Sequence, residues 1–244
     1  MRHVGILLKR EFASFFATPV AYVFIVIFLM MSGVFTFYIG GLYERGQADL
    51  LPFFNFHPWL YLFLVPAMAM RTWSEERKSG TIELIMTLPV TTLEVMIGKF
   101  LAAWLVLGMS LMLTFPLWLT VNYLGNPDNG IILAAYFGSW LMAGAFLAIG
   151  ICMSALSKSQ VVAFILAVVV CFLFVLSGSG VLLDAFEGWL PNIIIDTIAS
   201  FSFVTHFEAI SKGVIALNDV GYFIIVIGVW LYAGLVIIEN KKAD

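Results

Sequence analysis

The sequence predicts an all-α polytopic membrane protein with six transmembrane helices, and three observations lead to this fold class. Hydrophobic residues make up 62% of the 244 residues, whereas charged residues make up only 11%. Mean hydropathy is +1.05, far above the balance of an ordinary soluble domain. Several apolar stretches also reach the roughly 20 residues that a helix needs to cross a bilayer. We therefore predict that the whole chain, residues 1–244, forms one membrane domain.

The apolar stretches define the predicted spans, which are 20–40, 53–70, 93–123, 131–156, 160–183 and 220–238. Pro66 and Pro116 fall inside the second and third spans, where each is expected to bend the helix or to leave a backbone carbonyl without its usual partner. The fourth span is rich in small residues, with Ala135, Ser139 and Ala143 at four-residue spacing. Such a face predicts close packing against neighbouring helices.

Two further segments are predicted at the membrane surfaces. Residues 1–17 form an amphipathic interfacial helix, with Leu8, Phe12, Phe15 and Phe16 on one face; the alternative is a frayed extension of the first span. Residues 184–219, before the last span, mix aromatic side chains with helix breakers and charges. They predict short outer re-entrant or interfacial helices, or equally an ordered outer cap without a role in transport.

The distribution of basic residues orients the chain, because such residues concentrate on the cytoplasmic side of membrane proteins. Only Arg45 and Lys212 fall on the opposite side. Ten basic residues share one side: Arg2, Lys9, Arg10, Arg71, Arg77, Lys78, Lys99, Lys158, Lys241 and Lys242. Both termini are therefore predicted to be cytoplasmic.

Several function classes are disfavoured by what the sequence lacks. The net charge of -3 suggests no nucleic-acid partner. Cys152 and Cys171 lie in apolar runs without a CxxC or Cys/His cluster, so neither a disulfide framework nor a metal site is expected. Apart from the start of the third span, a predicted cytoplasmic extension that holds Glu94 and Lys99, the spans contain no Asp, Glu, Lys or Arg, which disfavours an ion-coupled carrier. Ion sites formed by backbone carbonyls remain compatible with the sequence.

Catalytic motifs are also missing. Ser177 and Ser179 near the end of the fifth span have no histidine close in sequence to act as a base, and no HExxH motif occurs. The only Gly-Lys pair, Gly98-Lys99, is followed by Phe100 and does not form a GxxxxGK[ST] phosphate loop. The chain is therefore predicted to be no enzyme and to bind no cofactor directly. If ATP is used, another chain binds it.

One cytoplasmic stretch, ERKSGTIELIMTLP at residues 76–89, interrupts the hydrophobic pattern. Gly80 and Thr81 break a helix, and Ile82, Ile85 and Met86 then recur at helical spacing up to Pro89. Thr91 and Glu94 form a capping-box pattern that starts the next helix. These breaks and caps predict a short separate helix over 80–89. Physical arguments alone leave two roles open for this helix: it binds a partner protein, or it lies on the lipid surface without a partner.

The same run, extended to Val90, resembles the E-R-x-x-G-T-x-E-x-L/I-x-T-x-P-V signature of ABC type-2 transporter permeases. The N-terminal helix, the six spans and the apolar outer segment also follow that family's layout. Within the family the chain is most similar to the short permeases of the gliding-motility, GldF-like group.

The resemblance implies a permease subunit of an ATP-driven exporter in a bacterial inner membrane. It implies a second permease, identical or related, and two ATPase subunits that carry ATP and Mg. It also implies that residues 80–88 act as a coupling helix, with Glu76 and Arg77 making polar contacts at its edge. The residues expected to contact or support the ATPase are Glu76, Arg77, Gly80, Thr81, Ile82, Glu83, Leu84, Ile85, Met86 and Leu88, with Glu83 as the main charged contact.

Two other functions are compatible with the sequence. The chain could be a non-transporting membrane anchor or assembly factor that holds a cytoplasmic partner through the same loop, or a channel or carrier that acts alone. The substrate class is not readable from these residues.

Overall fold

The computed structural model of the protein describes residues 2–83, 89–179 and 192–241. These residues form α-helices joined by short connections, with one π-helical turn. The helices are α1 (Arg2–Ala17), α2 (Val20–Val34, continued by the π-turn Phe35–Ile39), α3 (Leu51–Asn55), α4 (His57–Ala69), α5 (Arg71–Ser79), α6 (Thr92–Met112), α7 (Phe115–Leu124), α8 (Asn129–Leu156), α9 (Gln160–Leu176), α10 (Asn192–Ala199), α11 (Phe203–Ser211) and α12 (Leu217–Asn240).

The long helix α8 forms the centre of the bundle. It begins at Asp128, whose carboxylate accepts hydrogen bonds from the amides of Gly130 and Ile131. In its most apolar stretch 89% of the residues are buried, and it contacts α4, α5, α6, α9, α11 and α12. The predicted face of small residues is confirmed, because Ala135, Ser139 and Ala143 are all buried. Elements that carry the functional site are therefore positioned mainly by this one helix.

Glycines on α8 set how closely its neighbours approach. A Cβ atom added at Gly150 would lie 2.5 Å from the Cβ of Ala69 on α4. We expect Gly150→Leu to lower the free energy of unfolding by about 1–3 kcal/mol, because two packed helices would have to separate. Thermal unfolding in detergent measures this change. Gly228→Leu is the control, since nothing lies within 4 Å of a Cβ at that position of α12; equal losses in both variants would contradict the packing argument.

A pair of tryptophans joins α6 to α8. The rings of Trp104 and Trp140 stack with their centroids 4.0 Å apart, and each indole N–H donates to the backbone carbonyl of the other residue, at 2.9 and 3.2 Å. Trp104 faces Gly144, and Trp140 faces Gly108. The reciprocal arrangement satisfies both indole N–H groups where no water is available.

The first helix packs on the beginning of α6. Leu7 is buried there, and its Cβ would lie 2.9 Å from a Cβ at Gly98. Phe12, Phe15 and Phe16 are half-buried against the core, whereas Arg10, on the opposite face of the helix, is exposed. The predicted amphipathic face is therefore the packed face of α1, and its position on the lipid surface stays a prediction.

Within the described residues, four helices are long and apolar enough to cross a membrane: Val20–Ile39, Thr92–Leu124, Asn129–Leu156 and Leu217–Asn240. The pair Ile193–Ala199 and Phe203–Ser211, bent by 65°, would make a fifth if both formed one span. The protein is therefore all-helical with four to five candidate spans. The predicted number of six is not confirmed.

Fewer than six candidate spans are found because the second and fifth predicted spans do not form long continuous helices in the described residues. Residues 53–70 are divided at Phe56 between α3 and α4, and Pro58 begins the second of these helices. Of residues 160–183, the described part contains a helix of 17 residues, Gln160–Leu176, and positions 180–183 lie outside the described residues. Residues 93–123 also break, at Leu113 and Thr114, with Pro116 in the first turn of α7. A helix break therefore lies next to Pro116, whereas α4 continues through Pro66 without a break.

The outer segment 184–219 contains α10 and α11, while positions 184–191 lie outside the described residues. Ser202 caps α11 by accepting from the amides of Val204 and Thr205. Short helices are thus present in the predicted segment, and their re-entrant or interfacial placement stays a prediction.

Candidate functional site

The helix that leads into the ERKSG stretch continues the second predicted span. After α4 ends at Ala69, α5 carries the chain to Ser79, and Gly80 ends the helix with a left-handed φ of +73°. A side chain at this φ would be strained, which explains the glycine. On the far side of the loop, Thr91 and Glu94 form the predicted capping box of α6. Both boundaries predicted from the sequence are therefore confirmed.

A serine from α8 holds the junction between α4 and α5. The Ser154 hydroxyl accepts hydrogen bonds from the backbone N–H groups of Trp73 and Ser74, both at 3.0 Å. The same hydroxyl donates to the carbonyl of Met70 at 2.7 Å. Met70, the residue at the break, has no side-chain capping bond of its own. Ser154 therefore provides from another helix the capping contact that α5 lacks.

Ser154→Ala should lower the free energy of unfolding by about 1–3 kcal/mol, because two buried N–H groups would lose their acceptor. Chemical denaturation in detergent gives the change. Ser200→Ala serves as the control, since the hydroxyl of this exposed serine bonds only within its own turn, to the Thr197 carbonyl. A loss no larger than that of the control would show that Ser154 does not hold the junction.

A second contact point is a buried ion cluster, which we call the Lys99 cluster. The ammonium of Lys99 on α6 lies 3.2 Å from a carboxylate oxygen of Glu11 on α1 and 2.7 Å from one of Glu76 on α5. It also lies 5.5 Å from the ring centroid of the buried Trp73. Lys99 is only 5% exposed, compared with 17% for Glu11 and 19% for Glu76. One cation thus joins three helices beneath the ERKSG stretch.

The two carboxylates of the Lys99 cluster differ in pKa. Burial raises the pKa of Glu76, and Lys99 only partly offsets this effect. Burial acts in the same sense on Glu11, but Lys99 together with Arg10 holds the pKa of Glu11 below its usual range. The Oε2 atom of Glu76 is buried without a hydrogen-bond partner among the described residues. Glu76 is therefore the less well compensated member of the cluster.

The end of α8 forms a third contact point. A guanidinium nitrogen of Arg77 donates to the carbonyl of Ala155 at 2.6 Å, and the ammonium of Lys241 donates to the carbonyl of Leu156 at 2.6 Å. Cationic groups at a helix C-terminus satisfy unpaired carbonyls and complement the helix dipole. The base of the ERKSG stretch and the end of α12 are thereby both bound to the end of the central helix.

The predicted coupling residues fall into three groups. Glu76 and Arg77 point into the protein, to Lys99 and Ala155. Thr81 bonds Ser79 at the helix end, Ile82 is half-buried, and Glu83 is exposed. Leu84, Ile85, Met86 and Leu88 lie outside the described residues. The polar contacts seen for Glu76 and Arg77 are therefore internal to the chain.

Sequence reasoning missed how these residues are held. Glu11 and Lys99 were visible as ionisable groups beside apolar helices, which was a usable signal. The sequence around Ser154 gave no signal of its capping role, since a serine in a helix of small residues is ordinarily a packing residue. Its role depends on the distance between α8 and α5.

The described serine and histidine residues do not form an accessible site for nucleophilic catalysis. The hydroxyls of Ser177 and Ser179 donate to carbonyls of their own helix. Ser139 does lie 2.7 Å from a ring nitrogen of His57 and 2.8 Å from the hydroxyl of Tyr61, but His57 and Ser139 are fully buried. This hydrogen-bonded group therefore joins α4 to α8 and is closed to a substrate.

These features define a multi-pass helical membrane protein in which a charged stretch is bound to the central helix. The chain belongs to the ABC-2 transporter family, because the model described as "ABC-2 family transporter protein" matches residues 48–211. The matched region includes the ERKSG stretch and the helices α8, α10 and α11. A comparison with curated proteins finds none that matches this chain. Members of this family are membrane components of transporters, work with ABC ATPase subunits, and are generally not catalytic themselves.

Proposed function

We propose that the protein is the permease subunit of an ATP-driven exporter, resident in a bacterial inner membrane with both termini cytoplasmic. It pairs with a second permease, identical or related, and with two ATPase subunits that bind ATP and Mg. The gliding-motility, GldF-like group is the proposed subfamily. Residues 80–88 receive the movement of the ATPase dimer and pass it to the membrane helices.

The observation that carries this proposal is the attachment of α5 to α8. The hydroxyl of Ser154 and the guanidinium of Arg77 connect the two helices at consecutive residues of the α8 terminus. A displacement of residues 80–83 would therefore be transmitted to the most buried helix of the bundle, instead of being lost in a loose loop.

The Lys99 cluster supports the same interpretation. It joins α5 to α1 and to α6, which begins immediately after the loop. Both ends of the loop are thus anchored, one through Ser154 and Arg77 and the other through Lys99. A loop with two anchored ends moves its helices together when a partner pushes on it.

Purification in a mild detergent tests the proposal. We expect an ABC ATPase and a permease to be recovered with the protein, in amounts that give two ATPase subunits per pair of permeases. Failure to recover any ATPase would contradict the proposal.

Reconstitution separates an exporter from a non-transporting anchor. In vesicles that contain the purified complex, an exporter changes ATP hydrolysis when its substrate is added, because the two sites are coupled. An anchor has no such coupling. An ATP hydrolysis rate that is unchanged by every compound that intact cells transport would therefore favour the anchor.

A further inference from the structure

A group of three cations lies at the end of α8, which we call the basic cluster: Arg77, Lys158 and Lys241. Arg77 and Lys241 donate to the consecutive carbonyls of Ala155 and Leu156, so their charges are held side by side. Lys158 follows two residues later and is exposed. The cluster therefore gathers charges from α5, from the loop between α8 and α9, and from the end of α12.

The positive charges of the basic cluster are not balanced. None of the three residues forms an ion pair with a carboxylate anywhere in residues 2–83, 89–179 or 192–241. The carbonyls at the end of α8 supply only about half a negative charge. Burial, together with the nearby Arg77 and Lys158, lowers the pKa of Lys241. The arrangement favours the binding of an anion.

The next helix adds to the same field. Ser159 stands at the N-cap of α9, but its side chain makes no capping hydrogen bond. The first N–H groups of this 17-residue helix therefore lack a side-chain acceptor, and the helix dipole places positive potential beside Lys158.

The surroundings of the basic cluster indicate what kind of anion fits. Helices α8 and α9 are apolar and are joined by only three residues, 157–159, so this loop must lie at a membrane surface. Leu156, Val161 and Val162 flank the loop and are exposed, by 38%, 65% and 46%. A ligand that carries a negative headgroup and an acyl chain matches both surfaces, whereas an acidic protein surface would leave these apolar side chains in water.

We propose that the basic cluster binds the headgroup phosphate of an anionic phospholipid, with an acyl chain lying along the start of α9. Basic pockets between membrane helices on the cytoplasmic side are suited to such headgroups. The phosphate oxygens accept from Lys158, Lys241 and the remaining N–H groups of Arg77. The site shares Arg77 with the anchor between α5 and α8, but the binding of lipid to Lys158 and Lys241 does not depend on an ATPase.

The test uses the full-length protein in neutral detergent, with binding of dioleoylphosphatidylglycerol and dioleoylphosphatidylcholine compared by native mass spectrometry. We expect the anionic lipid to bind in preference. The double variant Lys158→Gln/Lys241→Gln should weaken its binding by about 25-fold, which is about fivefold for each charge removed. The matched control Lys9→Gln/Lys78→Gln removes the same charge from exposed residues outside the cluster and should leave binding within about twofold.

Several outcomes would overturn the proposal. Equal binding of the two lipids, or equal losses in the double variant and its control, would show that the cluster is no specific site. Inorganic phosphate that binds as tightly as the lipid would assign the cluster to a free anion. If the double variant does not fold, the single variant Lys158→Gln replaces it, because this side chain is exposed. The single variant should bind the anionic lipid about fivefold more weakly. Unchanged binding would contradict the proposal.

Discussion

Replacement of Gly80 by proline is expected to abolish coupling between ATP hydrolysis and transport while the protein still inserts and pairs with its partner. Gly80 ends α5 at a φ of +73°, a value that the proline ring cannot adopt. The helix end must then rearrange, so the chain enters residues 84–88 in another direction. Coupling free energies are typically about 1–3 kcal/mol, or about 5- to 150-fold in ligand affinity. Without this coupling, hydrolysis in the presence of substrate is expected to fall to the unstimulated rate. ATPase assays in reconstituted vesicles measure this rate.

Gly46→Pro is the matched control for Gly80→Pro. Gly46 has a φ of +61° and open space around its Cβ position, and it lies in a predicted outer loop. The local strain is thus similar, yet coupling should be retained. Equal hydrolysis and transport in Gly80→Pro and the wild type would refute the proposed role of residues 80–88.

Reversal of charge at the exposed Glu83 should have a similar effect. Glu83→Lys places a cation where the ATPase is proposed to meet the loop, and Glu44→Lys makes the same change on the predicted outer side. Only the first should impair hydrolysis that depends on the permease, because like charges at an interface repel its partner.

Lys99→Met should strongly destabilise the folded protein. It removes the only cation within 4 Å of Glu76 among the described residues and leaves this partly buried carboxylate without an ion pair, whereas Glu11 keeps its pair with Arg10. Loss of one partner from a buried ion pair costs about 3–5 kcal/mol. We expect the lower part of this range, because Glu11 and Glu76 keep some exposure to water. Denaturation in detergent gives the free energy of unfolding.

Two comparisons make the Lys99 prediction specific. Lys212→Met breaks an exposed pair with Glu208 and should cost at most about 1 kcal/mol. Glu76→Gln added to Lys99→Met should recover part of the lost stability, because it removes the unpaired charge. A Lys99→Met protein as stable as the Lys212→Met protein would contradict the cluster's importance.

The same variant should respond to pH. Burial already raises the pKa of Glu76, and loss of Lys99 removes the contact that opposes this rise. A carboxyl group with a raised pKa in the folded state destabilises that state when ionised, so protonation relieves the penalty. Lys99→Met should therefore become more stable relative to wild type as the pH falls through the raised pKa of Glu76. A constant difference between the two proteins across this range would argue against the assignment.

Helix boundaries are the part of the fold most accessible from the sequence. Residue type and spacing predict the helix end at Gly80 and the Thr91–Glu94 capping box, and both are seen. These signals are local, since a left-handed φ or a reciprocal cap involves only a few consecutive residues. The membrane spans are less accessible, because composition does not reveal where a helix breaks. Phe56 and Thr114 interrupt apolar runs whose composition predicts continuous helices.

Composition and motif are enough to establish a helical, multi-pass membrane protein of the permease type with a short charged stretch that interrupts its apolar pattern. They carry this information because burial in lipid and helix capping depend on residue type and near neighbours. The anchoring of the stretch, in contrast, follows from how the helices pack. Ser154 and Lys99 are 81 and 23 residues from Trp73 and Glu76, their respective partners, so no local pattern specifies their contacts. Those contacts exist because α8 and α6 pack where they do, and this packing depends on the whole chain.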